Sequence, residues 1–113
     1  MAKKSKAYWL SYDLGVGGDY DHLYQWLDDH NAKPCGNSVA YFNFEYDDSG
    51  NPDEMLYEEL SNTIDLEPGN KLYIVRLKED KREIRIVGTF IYGRRSAAPW
   101  EGYGKSGSEE EDE

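Results

Sequence analysis

Asp13 is the first residue whose placement invites chemistry. It closes the run Ala7-Tyr8-Trp9-Leu10-Ser11-Tyr12, where a β-strand would deliver a side chain to the edge of a sheet. A carboxylate in that position can hold Mg²⁺. The ion wants near-octahedral oxygen ligands, however, and one carboxylate per subunit makes a poor site. A two-fold axis would double it, with water and phosphate completing the shell. The competing reading is an Asp that ends its strand by accepting nearby backbone N–H groups.

The second candidate is a set of cations. Arg76, Lys78, Lys81, Arg82 and Arg85 fall on and beside one expected hairpin, with Arg94 and Arg95 close after it. Strand alternation puts Arg76 on the face of Leu72 and Ile74, near a sheet edge or an interface. A cationic hairpin can track the phosphates of RNA or DNA, with strong salt dependence. The same residues can instead meet an acidic surface on a second copy, or form an ordinary solvated hairpin. The acidic C-terminal tail can also fold back and mask these arginines in cis.

Other residues carry weaker chemistry. Gly15-Val16-Gly17-Gly18 before a helix superficially suggests a phosphate loop. It lacks both G-x-G-x-x-G spacing and a Walker lysine, so a flexible turn accounts for it. His22 and His30 lie too far apart for one helical turn to unite them, and with a single cysteine they make no zinc set. His22 near a helix N-terminus would be disfavoured as a cation and available as a neutral base. Cys35 has no evident activating cation beside it and is read as an inert thiol.

The elements that must position these residues follow from periodicity. Ala7 to Leu14 reads as a strand, preceded by a loose lead-in over residues 1–6. Asp19 can cap a helix whose stripe is Tyr20, Leu23, Tyr24 and Leu27, ending near His30-Asn31 before Pro34. Ser38 to Tyr46 alternates, with Ala40, Phe42 and Phe44 on one face. After the turn Asp47–Gly50, Asn51, Pro52 and Glu54 start a second helix with Leu56, Leu60, Thr63 and Ile64 inward. Lys71 to Leu77 and Glu83 to Ile91 are strands around a charged loop, Lys78 to Arg82, expected to be longer than two residues. The order β-α-β-α-β-β describes an α/β (α+β) domain over residues 7–104. It is a ferredoxin-like variant, with a mostly antiparallel sheet and two helices on one face. Trp100 and Tyr103 are expected to dock on the sheet or on a partner subunit, ahead of a disordered acidic tail over 105–113.

Size and composition bound the function. The 113 residues fit one domain, small enough that oligomerisation would help it. A single cysteine excludes an intrachain disulfide and suits a reducing, cytoplasmic setting. No apolar run approaches the roughly 20 residues that cross a bilayer, so no membrane partner is expected, and the start lacks the apolar core of a signal peptide. Net charge is −10, which taken uniformly would repel nucleic acid. The distribution is not uniform: residues 13–67 hold 14 acidic residues and one basic, whereas residues 71–95 hold eight basic and three acidic.

Ser11-Tyr12-Asp13-Leu14, Ser38-Val39-Ala40-Tyr41-Phe42 and Lys71-Leu72-Tyr73-Ile74-Val75-Arg76-Leu77 resemble, in that order, strands of the Cas2/VapD-like group of small ferredoxin-fold proteins. The resemblance spans roughly residues 7 to 91. It implies a homodimeric, nucleic-acid-associated protein, with Asp13 and its two-fold mate holding Mg²⁺ for endoribonuclease action. This chain departs from the pattern in its Gly15–Gly18 loop, which lacks basic residues, and in its negative charge. The alternative expectation is a non-catalytic protein–protein interaction module, such as a toxin–antitoxin or phage–host component.

Overall fold

The computed structural model describes residues 3–104. Five strands form one antiparallel sheet: β1 (Lys3–Asp13), β2 (Lys33–Pro34), β3 (Val39–Asp47), β4 (Lys71–Asp80) and β5 (Glu83–Tyr92). Two helices interrupt them, α1 (Tyr20–Asp29) before β2 and α2 (Pro52–Thr63) before β4. The sheet order is β2-β3-β1-β4-β5, so the first strand lies at its centre. This is an α+β architecture.

Alternation in the strands decides which face is covered. Tyr8, Leu10 and Tyr12 of β1, Ala40, Phe42 and Phe44 of β3, and Leu72 and Ile74 of β4 are all buried. They meet Leu23, Trp26 and Leu27 of α1, and Leu56, Leu60 and Ile64 at and just beyond α2, in one core. Trp26 packs edge-on against Phe42, with ring centroids 5.1 Å apart. It was absent from the expected stripe, which named Tyr24 instead. Tyr24 is half exposed, because the helix turns its Leu23–Trp26–Leu27 side inward.

The caps follow the sequence. Asp19 accepts from the His22 N–H at 3.3 Å, and Asn51 accepts from the Glu54 N–H at 3.1 Å, with Pro52 in the first turn. At the other end of α1, Asn31 takes a left-handed φ of 56° and turns the chain into β2.

Three expectations need correction. Residues 3–6 are not a loose lead-in, because Lys3 to Lys6 pair with Asp47 to Phe44 and extend β1. The charged loop at 78–82 is shorter than expected: β4 runs to Asp80 and β5 starts at Glu83, leaving Lys81 and Arg82 as the turn. Lys81 adopts φ 59° there, taking the conformation for which glycine is usually chosen. β2 was missed altogether, since two residues containing a proline show no alternation. The acidic run at 109–113 lies outside the described residues.

Pairing between β1 and β4 is short, and this shapes everything around it. Asp13 to Trp9 pair with Lys71 to Val75, and the ladder stops there. Beyond that point β1 stays paired only with β3, and β4 only with β5. The two central strands therefore part, and a groove opens between them.

Because the core rests on β1, Leu10→Ala should destabilise the domain by about 2–5 kcal/mol, while Val16→Ala in the exposed loop after β1 should cost no more than about 0.5 kcal/mol. Urea unfolding with an unchanged slope checks both.

Candidate functional site

The sheet's second face has no helix over it. On β1 it presents Ala7, Trp9, Ser11 and Asp13, and on β4 Lys71, Tyr73, Val75 and Leu77. On β5 it presents Ile84, Ile86 and Phe90. Among these, Trp9 is 41% exposed, Leu77 53%, Ile84 64% and Ile86 74%. They converge on the groove where β1 and β4 part, a cavity of about 700 Å³. Its charged lining residues are Lys6, Arg76, Lys78 and Glu79. Together the four apolar side chains leave on the order of 400 Å² open to water, as large as the biggest patch on a typical monomer.

Arg76 lies at the root of the groove, where its guanidinium is engaged by a carboxylate. Its Nε donates to both carboxylate oxygens of Asp53 at 2.8 Å, and Nη2 lies 2.5 Å from Oδ2. The Tyr8 hydroxyl donates to Asp53 Oδ1 at 2.6 Å. Tyr8 and Arg76 each stand one residue past the last β1–β4 pair, Trp9 with Val75. Asp53, in the first turn of α2, thus clamps the two strands where their ladder ends. A carboxylate is favoured there by the helix dipole as well as by the guanidinium. Burial pushes the Asp53 carboxyl up. The bonds from Arg76 and Tyr8, together with the Arg76 charge, outweigh that and hold it below the usual carboxylate range. Burial, reinforced by the bond to Asp53, pushes the Tyr8 phenol far above its usual value. Arg76 Nη1 is buried and has no partner among the described residues.

The remaining cations separate into two groups. Lys78, Lys81, Arg82 and Arg85 occupy the exposed hairpin end of β4 and β5, as expected. Arg94 and Arg95 follow β5 at the opposite end of the sheet. Arg95 there lies over the Tyr73 and Phe90 rings, 5.6 and 5.3 Å from their centroids. The length of β5 carries Arg94 and Arg95 about 30 Å from the turn.

Asp13 is exposed on the uncovered face, and its Oδ1 accepts from the Gly15 N–H at 3.0 Å. Lys71 is its partner across the ladder, and the two share a shallow polar pocket with Ser11, Tyr73 and Arg95. No group of three or more His, Cys, Asp or Glu residues capable of holding a metal occurs among the described residues. The carboxylate of one chain, flanked by cations, does not fit Mg²⁺ by itself.

The glycine run turns the chain out of β1. Gly15 and Gly17 have φ of 72° and 103°, and a Cβ on Gly18 would strike the Leu14 carbonyl. His22 departs from expectation: its Nδ1 lies 2.8 Å from Asp19 Oδ2, and that bond raises its pKa, so the capping carboxylate overrides the helix dipole. Asn70, which the sequence reading passed over, is buried. It donates to the Leu14 carbonyl at 3.1 Å and accepts from the Glu67 N–H at 2.8 Å, tying the end of β1 to the loop before β4. Cys35 is exposed and unpaired. Trp100 and Tyr103 are 73% and 85% exposed, so they are not docked on their own sheet. Among the described residues no helix is long and apolar enough to cross a membrane.

No family model, curated protein or solved structure matches this chain.

Removing one partner of the clamp leaves a partly buried charge uncompensated, so Asp53→Ala should cost about 3 kcal/mol at neutral pH. Replacing Arg76 by Met in the same chain should recover most of that loss. A carboxyl with a depressed folded pKa stabilises above its unfolded value, about 4, and that contribution is lost as pH falls through the folded value. The stability gap between wild type and Asp53→Ala should therefore narrow below about pH 4, as denaturant titrations at stepped pH would reveal.

Proposed function

We propose that this protein is a non-catalytic binding module that assembles as a homodimer through the uncovered face of its sheet. The observation that carries the reading is the contiguous exposed set of Trp9, Leu77, Ile84 and Ile86 around the groove. A second copy is the occupant that this face suits. Doubling a patch of about 400 Å² and adding its polar border approaches the roughly 1,200–2,000 Å² total of a stable interface. The face also carries both signs of charge, Asp13 with Lys71 and Arg95 at one end and Glu79 at the other. A two-fold pairing can match such a pattern to itself.

The fold reading behind this is a ferredoxin-like unit. What supports it is the succession β1-α1-β2-β3-α2-β4 with sheet order β2-β3-β1-β4, β2 being only two residues long and β5 lying beside β4. The exposed hairpin cations Lys78, Lys81, Arg82 and Arg85 leave RNA or DNA as one class of partner and an acidic protein as another. An exposed thiol at Cys35 and a domain without disulfides suit a reducing cytoplasm.

One observation favours a second reading, a Mg²⁺-dependent endoribonuclease of the Cas2/VapD-like type. Asp13 lies on the same face as the apolar patch, so pairing through that face could bring its two-fold mate near. Purified protein incubated with RNA, with and without Mg²⁺, separates the two. The binding reading expects no metal-dependent cleavage, whereas cleavage abolished by Asp13→Ala would install the nuclease reading.

Assembly has its own check. Ile86→Asp places an unpaired charge in the interface and should weaken the dimer about 100-fold, by on the order of 3 kcal/mol, while leaving the monomer folded. Sedimentation equilibrium measures this, and wild-type protein that stays monomeric at high micromolar concentration would end the proposal.

A further inference from the structure

We propose that the gap between β1 and β4 takes an extended apolar segment of a partner protein as an added strand, hydrogen-bonded to the main chain of Ser5, Ala7 and Leu77. The proposal goes beyond the dimer and does not rest on it, because a strand inserted there lies in the plane of the sheet.

The backbone identifies the occupant. The Tyr12 N–H donates to the Ser38 carbonyl at 3.0 Å, so Tyr12 turns its main-chain groups toward β3. In an antiparallel strand that direction alternates from residue to residue. Leu10, Tyr8, Lys6 and Lys4 therefore also face β3, whereas Trp9, Ala7, Ser5 and Lys3 face β4. Val75 stands opposite Trp9 and faces β1, and so do Leu77 and Glu79. The β1–β4 ladder ends at that pair, yet β1 reaches back to Lys3 and β4 runs on to Asp80. The N–H and C=O groups of Lys3, Ser5, Ala7, Leu77 and Glu79 are left facing a gap with no partner strand among the described residues. On β4 the open stretch, Arg76 to Asp80, is about 17 Å long, the length of an ordinary strand. A row of unpaired main-chain donors and acceptors is what strand addition recognises.

The side chains fit the same occupant. Ala7, Trp9, Leu77, Ile84 and Ile86 line the cavity of about 700 Å³, and an added strand sets alternate residues beside Ala7 and Leu77. Apolar residues suit those positions. The chain does not close the gap itself: carrying the register on would put Lys6 opposite Lys78, and like charges directly opposite repel. Glu79, Asp80 and Glu83 are exposed among the hairpin cations, so charge there is mixed and the main chain selects the partner. A second copy does not supply the strand. Every described strand is already paired on at least one side, and a strand between β1 and β4 needs both of its edges free. A segment with no sheet of its own meets that need.

Amide hydrogen exchange, read by NMR on the full-length chain, tests this. The probes are blocked peptides about seven residues long, alternating Thr with Val, Ile, Leu or Phe. In dilute free protein the Ser5, Ala7, Leu77 and Glu79 amides should exchange fast, while Lys6, Tyr8, Arg76 and Lys78 are protected. Peptide should slow the first set at least about 10-fold, and N-methylating one edge of the peptide should weaken binding about 10-fold. Ser5→Pro removes a donor that faces only the gap, at an exposed position. It should leave the thermal midpoint nearly unchanged and weaken binding about 5-fold. Should that variant unfold, the N-methylated peptide decides alone. Protection in protein that sedimentation shows to be monomeric would uphold the added strand without the dimer. The proposal is overturned if no peptide of the series binds at millimolar concentration, or if binding leaves those amides unprotected. Equal binding of the N-methylated peptide, or slow exchange of Ser5 and Ala7 in the free protein, would overturn it as well.

Discussion

The carboxylate of Asp53 is the point on which the rest of the structure turns. It takes the guanidinium of Arg76 and the hydroxyl of Tyr8 where the β1–β4 ladder gives out. Backbone pairing no longer joins the two strands beyond Trp9 and Val75, so a charged side chain from α2 replaces it. A buried ion pair adds little net stability over a well-packed apolar alternative, but it is demanding about geometry. Here it ties the first turn of α2 to both β1 and β4 where their ladder ends.

The parting of the strands produces the feature most relevant to function. Side chains that a continuous ladder would press together instead border an open groove, and the uncovered face keeps Trp9, Leu77, Ile84 and Ile86 in water. Helices cover only the other face, and they bring seven of the 23 acidic residues with them. Asp21, Asp28 and Asp29 lie on α1, and Asp53, Glu54, Glu58 and Glu59 on α2. The β4–β5 hairpin carries four exposed cations at one end of the sheet, so the charge division along the chain becomes a division across the molecule.

Several residues with chemical promise are absorbed by local structure. Asp13 caps the turn that follows its own strand, and the glycine run makes that turn possible. Asp19 serves three neighbours at once: the His22 N–H, the His22 ring, and the Asp65 N–H beyond α2. Polar groups near strand and helix ends find backbone partners first, because an unpaired N–H costs more than an idle carboxylate gains.

The sequence by itself determined most of the extent of the long elements, their caps and the inward faces of β3 and α2. Each of these depends on periodicity or on hydrogen bonds within a few residues, and Ala40, Phe42 and Phe44 show how directly alternation translates into burial. The two-residue β2 and the tight turn at Lys81 were not legible, being too short for a period and stabilised by their neighbours in the sheet. Only the tertiary structure decided the fate of Arg76. In sequence it is one of seven cations near a hairpin, and nothing local distinguishes it from Arg85. Its partner lies 23 residues earlier on a helix, and its purpose appears only when a strand and that helix meet. The groove belongs to the same class of fact: it exists because two distant strands stop pairing, and no stretch of either one encodes where that happens.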